Sequence, residues 1–160
     1  MAKTSQVRLL LRIIDQAYEK KAWHGPNLRG AVRGLTATQA VWRPSRDRHN
    51  IQEIVLHAAY WKYAVRRRLL GGKRGSFPLR GSNWFPRRQG EAQRLWKGDC
   101  ALLDSEHGKM RKAIAALNDG DLEKTPPRSR VSNAVLIYGI ASHDLYHTGQ
   151  IQLLKKLRRK

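Results

Sequence analysis

Four segments of the chain repeat apolar residues at the spacing of an α-helix, and this pattern constrains the fold more than any other feature. The four predicted helices cover about residues 5–23, 50–70, 91–118 and 132 to nearly the C-terminus. No stretch shows the sustained alternation of apolar and polar residues that is typical of a β-strand. The chain is therefore predicted to be all-α, and four long helices with a long connection between the second and third favour a four-helix bundle.

Local signals mark where helices begin. Asn50 and Glu53 have the spacing of a capping box at the start of the second long helix, and Thr36 and Gln39 have the same spacing before a short helical piece. The first long helix is predicted to end before a Gly-Pro pair, and the second before two glycines. Residues 71–90 are rich in glycine and proline and are predicted to be a long ordered loop.

The length of 160 residues fits one domain, which we predict to cover residues 1–160. A domain of this size buries enough surface to be stable without cross-links. The only cysteine, Cys100, excludes an intrachain disulfide, and zinc-finger spacing is absent. The N-terminal run VRLLLRIID is too short for a secretory or membrane segment, and arginines interrupt it. We therefore expect a soluble cytoplasmic protein that does not enter a membrane.

The chain is strongly basic, with 32 lysines and arginines against 12 acidic residues and a formal net charge of +20. Such an excess favours encounter with phosphate-rich partners or anionic substrates. No acidic residue occurs from Ile54 to Gly90. Arginines in this window are therefore candidates to hold a small anionic substrate, although cations at the end of a helix also suit its dipole. The candidates are Arg66, Arg67, Arg87 and Arg88.

Nucleic-acid binding is an alternative that the charge leaves open. It is supported by the net charge and by aromatic residues in a basic loop, such as Trp84 and Phe85. Against it, the sequence contains no recognition-helix motif and no RNA-binding signature. Nucleic acid is therefore the less favoured partner.

Three histidines lie on apolar faces of the second and fourth long helices. His143 and His147 are four residues apart, so their side chains point the same way in a helix. They belong to an apolar stripe of the fourth helix, and His57 belongs to a similar stripe of the second. A buried imidazole needs a polar partner, and one metal ion could satisfy all three. The alternative is that each is an ordinary hydrogen-bonded core histidine.

Three segments of the chain resemble the DinB-like family of helical-bundle metalloproteins. They are AWHGPNLRGAVRGLTATQAVWRP, HNIQEIVLHAAYWKYAVRRRLLGG and ASHDLYHTGQIQLLKKL. The histidine of LHAAYW and both histidines of HDLYHTGQI stand where that family carries its metal-binding triad. The resemblance therefore implies a four-helix bundle in which His57, His143 and His147 bind a divalent metal. Family bundles often pair, which implies a homodimer, and we consider Trp23 and Trp42 as interface residues.

The predicted metal site has an open side. Three imidazoles leave one to three positions for water or substrate, as in catalytic sites. Members of the family are described as metal-dependent hydrolases, and some relatives as thiol-dependent transferases or isomerases, so the resemblance implies a hydrolase or a thiol S-transferase that uses a low-molecular-weight thiol. Histidine ligands suit zinc or nickel, and iron, manganese or copper are also compatible. A non-catalytic metal-binding or dimerising bundle is the main alternative.

Two further side chains are candidates to orient the metal ligands through hydrogen bonds. Glu53 lies one turn before His57, although its capping role competes, and Gln150 lies three residues after His147. Asp144 points away from the apolar stripe and is not expected to contribute. The other histidines are not expected to be ligands, and Trp61 and Tyr146 are expected to line the pocket or the core. The histidines set aside are His24, His49 and His107.

Overall fold

The computed structural model of the chain describes residues 5–88 and 90–159, which form six α-helices and one 3-10 turn, without a β-strand. The helices are α1 (Gln6–Tyr18), α2 (Leu28–Val32), α3 (Ala37–Val41), α4 (Ile51–Leu69), α5 (Glu91–Ala115) and α6 (Asn133–Leu157), and the 3-10 turn covers Asp119–Asp121. The prediction of an all-α bundle is therefore confirmed. The four long helices are α1, α4, α5 and α6.

Capping boxes define the starts of α3 and α4. The hydroxyl of Thr36 accepts from the backbone N–H of Gln39 at 3.2 Å, and the Gln39 side chain accepts from the N–H of Thr36 at 2.8 Å. Asn50 and Glu53 form the same reciprocal pair at the start of α4, at 2.8 and 3.3 Å. Each box satisfies two N–H groups that have no partner within the helix. Both predicted boxes are confirmed.

The first long helix is shorter than the sequence predicted, because α1 ends at Tyr18 rather than near Trp23. The side chain of Trp23 is fully exposed, so continuing the helix to that residue would bury nothing there. The side-chain amide of Asn27 instead donates to the carbonyl of Lys20 at 2.9 Å. Side chains that satisfy free carbonyls near a helix end favour termination there.

The core consists of two clusters of buried apolar side chains. One includes Leu28 and Val55 and joins α2, α3, α4, α5 and the C-terminal part of α6. The other includes Ile14 and Ile137 and joins α1, α5, the first half of α6 and the C-terminal part of α4. Because α4 packs against both α5 and α6, its buried faces point into the bundle. In the described part of the chain, no helix is long and apolar enough to span a membrane.

A buried ion pair joins α4 to α6. The ammonium group of Lys62 contacts the carboxylate of Asp144, and both side chains are almost completely buried. The same ammonium lies 4.9 Å from the centroid of the Tyr18 ring on α1. A buried charge is strongly destabilising when its partner is removed, so the two residues depend on each other. Asp144 thus holds the helices together beside His143 rather than orienting that imidazole.

The long connection between α4 and α5 folds back onto α4. The rings of Phe77 and Phe85 each lie 5.4 Å from the ring of Tyr60 on α4, measured between centroids. Aromatic pairs at this separation stabilise beyond the area that they bury. Asn83 has a positive φ of 68°, a region that asparagine tolerates better than most residues. The loop therefore brings Asn83 and Trp84 back to the middle of α4.

Candidate metal centre

Three imidazoles meet between α4 and α6. Nε2 of His143 lies 3.0 Å from Nε2 of His57 and 3.1 Å from Nε2 of His147. His57 and His147 are buried, and His143 is half-buried. The four-residue spacing on α6 places two of the rings side by side, and the packing of α4 against α6 adds the third. The structure thus brings together all three histidines that the sequence indicated.

Hydrogen bonds at the outer nitrogens orient two of the rings. Nδ1 of His57 lies 2.7 Å from the backbone carbonyl oxygen of Asn83, and Nδ1 of His147 lies 2.7 Å from Oε1 of Gln150. The amide nitrogen of Gln150 donates to the hydroxyl of Tyr146 at 3.2 Å. Because these oxygens only accept, both Nδ1 atoms carry the hydrogen. Each neutral ring then directs the lone pair of Nε2 toward His143.

The convergence of these lone pairs fits a cation. Nε2 of His143 carries at most one hydrogen, so it cannot donate to both neighbours. Bonds of about 2.0–2.1 Å from zinc to imidazole place the nitrogens of a tetrahedral site about 3.4 Å apart. The observed separations of 3.0 and 3.1 Å lie close to that value. The donor set therefore fits a divalent metal ion, whose identity three imidazoles alone do not select.

Burial lowers the pKa of all three histidines. The pKa of His143 falls to about 3, and the two neighbouring imidazoles add to the effect of burial. The pKa of His147 falls to about 4, chiefly through burial. Burial also lowers the pKa of His57, although its hydrogen bond to Asn83 acts in the opposite direction. The rings are therefore neutral near pH 7, as metal binding requires.

A stack of rings covers one face of His57. The indole of Trp84 lies 4.0 Å from the His57 ring and 3.5 Å from the His49 ring, and it is nearly parallel to both. Trp61 donates from its indole nitrogen to the side-chain oxygen of Asn83 at 2.9 Å, which holds the loop in place. The sequence did not assign Asn83 or Trp84 to the site. Their positions follow from how the loop folds onto α4, and no local motif signals them.

Gln150 and Glu53 were both predicted to orient the metal ligands. Among the contacts described, Gln150 contacts one of the three histidines, whereas Glu53 contacts none of them. Gln150 holds His147 as described above. Glu53 pairs with Arg43 at 2.7 Å and with His49 at 3.0 Å, in addition to capping α4. Hydrogen bonds from these residues hold the pKa of Glu53 below its ordinary value, against the effect of burial. Glu53 therefore supports the start of α4 and the His49 end of the stack.

A cavity of about 720 Å³ opens beside the triad. This volume falls within the range of about 300–1,000 Å³ that is typical of small-molecule sites. Asp47 and Arg48 bring formal charge to the lining. The other side chains around the histidines are mostly apolar or aromatic, and they include Ile54, Trp61, Trp84, Tyr146, Leu153, Leu154 and Leu157. The arrangement can therefore hold a small molecule with an apolar portion against the histidines.

The four arginines predicted to hold an anionic substrate are not among the residues that line this cavity. Arg66 and Arg87 pair with buried carboxylates on α5, which need a cationic partner because buried charge is costly. Arg67 donates to a carbonyl just beyond α4, and Arg88 is exposed. The charge on this lining comes from residues that the sequence did not single out. The two ion pairs that Arg66 and Arg87 form with α5 are Arg66–Glu106, at 3.2 Å, and Arg87–Asp99.

Replacing Gln150 with leucine is expected to weaken zinc binding by about 10- to 100-fold, because the amide that orients His147 is lost. Competition with a chromophoric chelator measures the affinity. Gln152→Leu is the matched control, because it makes the same chemical change on the same helix at a residue that does not line the cavity. Equal zinc affinity in the two variants would show that Gln150 does not position the ligand.

The fold and the three converging imidazoles define a helical-bundle protein with a candidate metal centre between two of its long helices. The sequence model of the DinB superfamily matches residues 22–151, which include α2 to α5, most of α6 and all three histidines. The chain therefore belongs to the DinB superfamily, and the resemblance noted in the sequence is confirmed. Neither the curated proteins nor the solved structures gave a match. Family and site together fit a metal-binding DinB-like protein.

Proposed function

We propose that this protein is a metal-dependent enzyme, a hydrolase or a thiol S-transferase, that acts on a small substrate held beside His57, His143 and His147. The supporting observation is that the three Nε2 atoms converge on the lining of a cavity of about 720 Å³. Structural metal sites are fully coordinated by protein, whereas catalytic sites keep a position open. Three histidines beside a cavity correspond to a catalytic site with an open position.

The surrounding residues determine how such a site would work. A divalent ion bound there would act as a Lewis acid and lower the pKa of a water or a thiol at its open positions. Asn83 and Gln150 keep the imidazoles of His57 and His147 in the tautomer that presents Nε2. Trp84 covers one face of His57 and restricts rotation of that ring. Zinc or nickel suits these ligands best, and iron, manganese or copper is compatible.

The cavity lining favours a substrate with an apolar portion. Tyr146, Leu153 and Leu157 are 65, 57 and 40% exposed, and all three line the cavity. They follow one another along about 16 Å of α6, given a rise of 1.5 Å per residue. Apolar side chains exposed in a continuous patch commonly mark a binding surface. Arg48, for which no ion pair is described, could pair with an acidic group of the substrate or of a thiol cosubstrate.

The structure bears on two other predicted partners, nucleic acid and a second copy of the chain. Trp84 is stacked between two histidines, so its faces are not available to nucleic-acid bases. Of the two residues considered for a homodimer interface, Trp23 is fully exposed, whereas Trp42 packs against the core. A homodimer and a cytoplasmic location both stay predictions. Light scattering that shows a monomer at high concentration would reject the dimer.

The purified protein, loaded with zinc or nickel, is expected to turn over members of an ester, amide or thiol-plus-electrophile panel that carry an apolar group. Turnover without thiol would indicate a hydrolase, and strict thiol dependence would indicate a transferase. Activity should be lost with a chelator and in His143→Ala. Leu153→Asp should raise KM for apolar substrates about tenfold, since the apolar contact is lost. Metal-dependent stabilisation without turnover on any panel would favour the non-catalytic bundle.

A further inference from the structure

We propose that a second cavity, at the C-terminal end of α4, binds a phosphate group. This basic cavity has a volume of about 160 Å³, and Arg67, Arg68, Lys73 and Arg128 contribute four cationic side chains to its lining. Its other lining residues are Gly71, Gly72 and Pro127, so the lining contains no carboxylate. A small cavity surrounded by positive charge attracts a compact anion.

The four cations come from two segments of the chain, residues 67–73 at the end of α4 and the segment before α6. Arg67 and Arg68 belong to the last turn of α4, where cations also stabilise the helix dipole, and Arg67 donates to the carbonyl of Gly72 at 3.2 Å. That role does not explain Lys73, in the loop after α4, or Arg128, in the segment before α6. Among the ion pairs described, none involves any of the four. Like charges gathered without a counterion repel, and a bound dianion would replace this repulsion by attraction.

The backbone of Arg128 adds an independent indication. Its φ is 63°, in the left-handed region, and Asn83 is the only other non-glycine residue described there. Glycine adopts this conformation without steric cost, whereas a long side chain does so rarely. Residues held in such a conformation are concentrated at functional sites. The backbone N–H of Ser129 donates to the carbonyl of Pro126 at 3.0 Å, so Arg128 occupies the third position of a tight turn, and this turn places it in the cavity lining.

The size of the cavity suits a single phosphate group. Water occupies about 30 Å³ per molecule in the liquid, so the cavity has room for about five water molecules. Arginine is suited to phosphate because its planar guanidinium can donate two parallel hydrogen bonds. Arg68 lies 11 residues beyond His57 on α4, which corresponds to about 16 Å. The bound phosphate would therefore not be the group that reacts at the metal centre, and the proposal does not depend on the proposed enzyme activity.

The test is a calorimetric titration of the whole protein with inorganic phosphate at constant ionic strength. The wild type is expected to bind one phosphate saturably. Arg128→Gly is expected to raise the Kd about tenfold or more, because a hydrogen bond to a charged group is lost. The melting temperature should stay the same or rise, since glycine relieves the backbone of residue 128. Weaker binding without loss of stability separates a binding role from a folding role, and Lys73→Gln should weaken binding in the same way.

Arg12→Gln provides the matched control, because it removes an exposed charge from α1, and glutamine forms helices about as well as arginine. It should change the Kd by less than about twofold, as expected for one screened charge outside the lining of the cavity. Equal weakening in all three variants, or no saturation in the wild type up to about 10 mM, would overturn the proposal. Methyl phosphate should bind like inorganic phosphate, and dimethyl phosphate, a monoanion, should bind more weakly. Tighter binding of an oligonucleotide, with a salt slope well beyond the value of about −1 for one contact, would instead indicate a nucleic-acid surface.

Discussion

Protein purified without added metal is expected to carry about one divalent ion per chain, as a single three-histidine site would hold. A variant in which His57, His143 and His147 are all alanine is expected to carry almost none, because no other described group of ligating side chains matches this cluster. Elemental analysis of both proteins measures the difference. It also identifies the metal, which the three imidazoles do not select.

The control for this experiment is His49→Ala. His49 lines the same cavity and stacks on Trp84, but it does not belong to the cluster of converging nitrogens. Its loss should leave the metal content unchanged. The triple variant is expected to fold, since alanine removes buried imidazoles whose polar nitrogens are costly to bury without a metal. Circular dichroism checks the fold, and equal metal content in the triple variant and the wild type would refute the site.

The parts of the site that lie on helices could be predicted because helical periodicity is a local property of the sequence. The spacing of His143 and His147 places them on one face of α6 whatever the rest of the chain does. The capping box of Asn50 and Glu53 marks the start of α4, and counting from there places His57 on an interior face. Pairing of α4 with α6 is not local, and it was expected from the resemblance to the family.

The features of the site that the sequence did not indicate depend on contacts between segments that are far apart in the chain. Asn83 and Trp84 reach His57 only because aromatic residues of the loop pack onto α4. Charge in the sequence was also a poor guide to position. Lys62 lies in the stretch from Ile54 to Gly90 that has no acidic residue, yet it is buried against Asp144. Two of the arginines predicted to bind the substrate form ion pairs with buried carboxylates on α5 instead. Burial of a charge is decided by its partner, and the partner lies far away in the sequence.

Acid is expected to lower the stability of the protein, and most of the loss should begin below about pH 6.5, the pKa of histidine in the unfolded chain. In the folded protein the pKa of His143 is about 3 and that of His147 about 4. Between these values and 6.5 the unfolded chain binds protons that the folded protein does not, so the free energy of unfolding falls as pH falls. This contribution is complete above pH 6.5 and is lost progressively toward the folded-state values.

A bound metal should add to this dependence in the same direction. The ion binds only neutral imidazoles in the folded protein, and at 100 times its dissociation constant it raises the free energy of unfolding by about 2.7 kcal/mol. Protons compete for the ligands only as pH falls toward the folded-state pKa values of about 4 and 3, and the apparent dissociation constant then rises and the gain fades. Melting curves with zinc, with nickel and with a chelator, from about pH 8 down to about pH 3, measure the gain across the range in which these ligands titrate in the folded protein.

His107 allows the metal effect to be separated from ordinary histidine burial. It stacks on Tyr18 at 3.6 Å, away from the triad, and burial together with the charge of Lys62 lowers its pKa to about 2. The loss of stability in acid that His107 causes should therefore persist with chelator and in the triple alanine variant. Only the difference in stability between samples with metal and samples with chelator measures the effect of the ion. That difference should hold from about pH 8 to about pH 5, fade as pH falls toward the folded-state pKa values of about 4 and 3, and be absent in the triple variant. A metal-induced gain that grows as pH falls, or one that survives loss of all three histidines, would mean that the ion binds elsewhere.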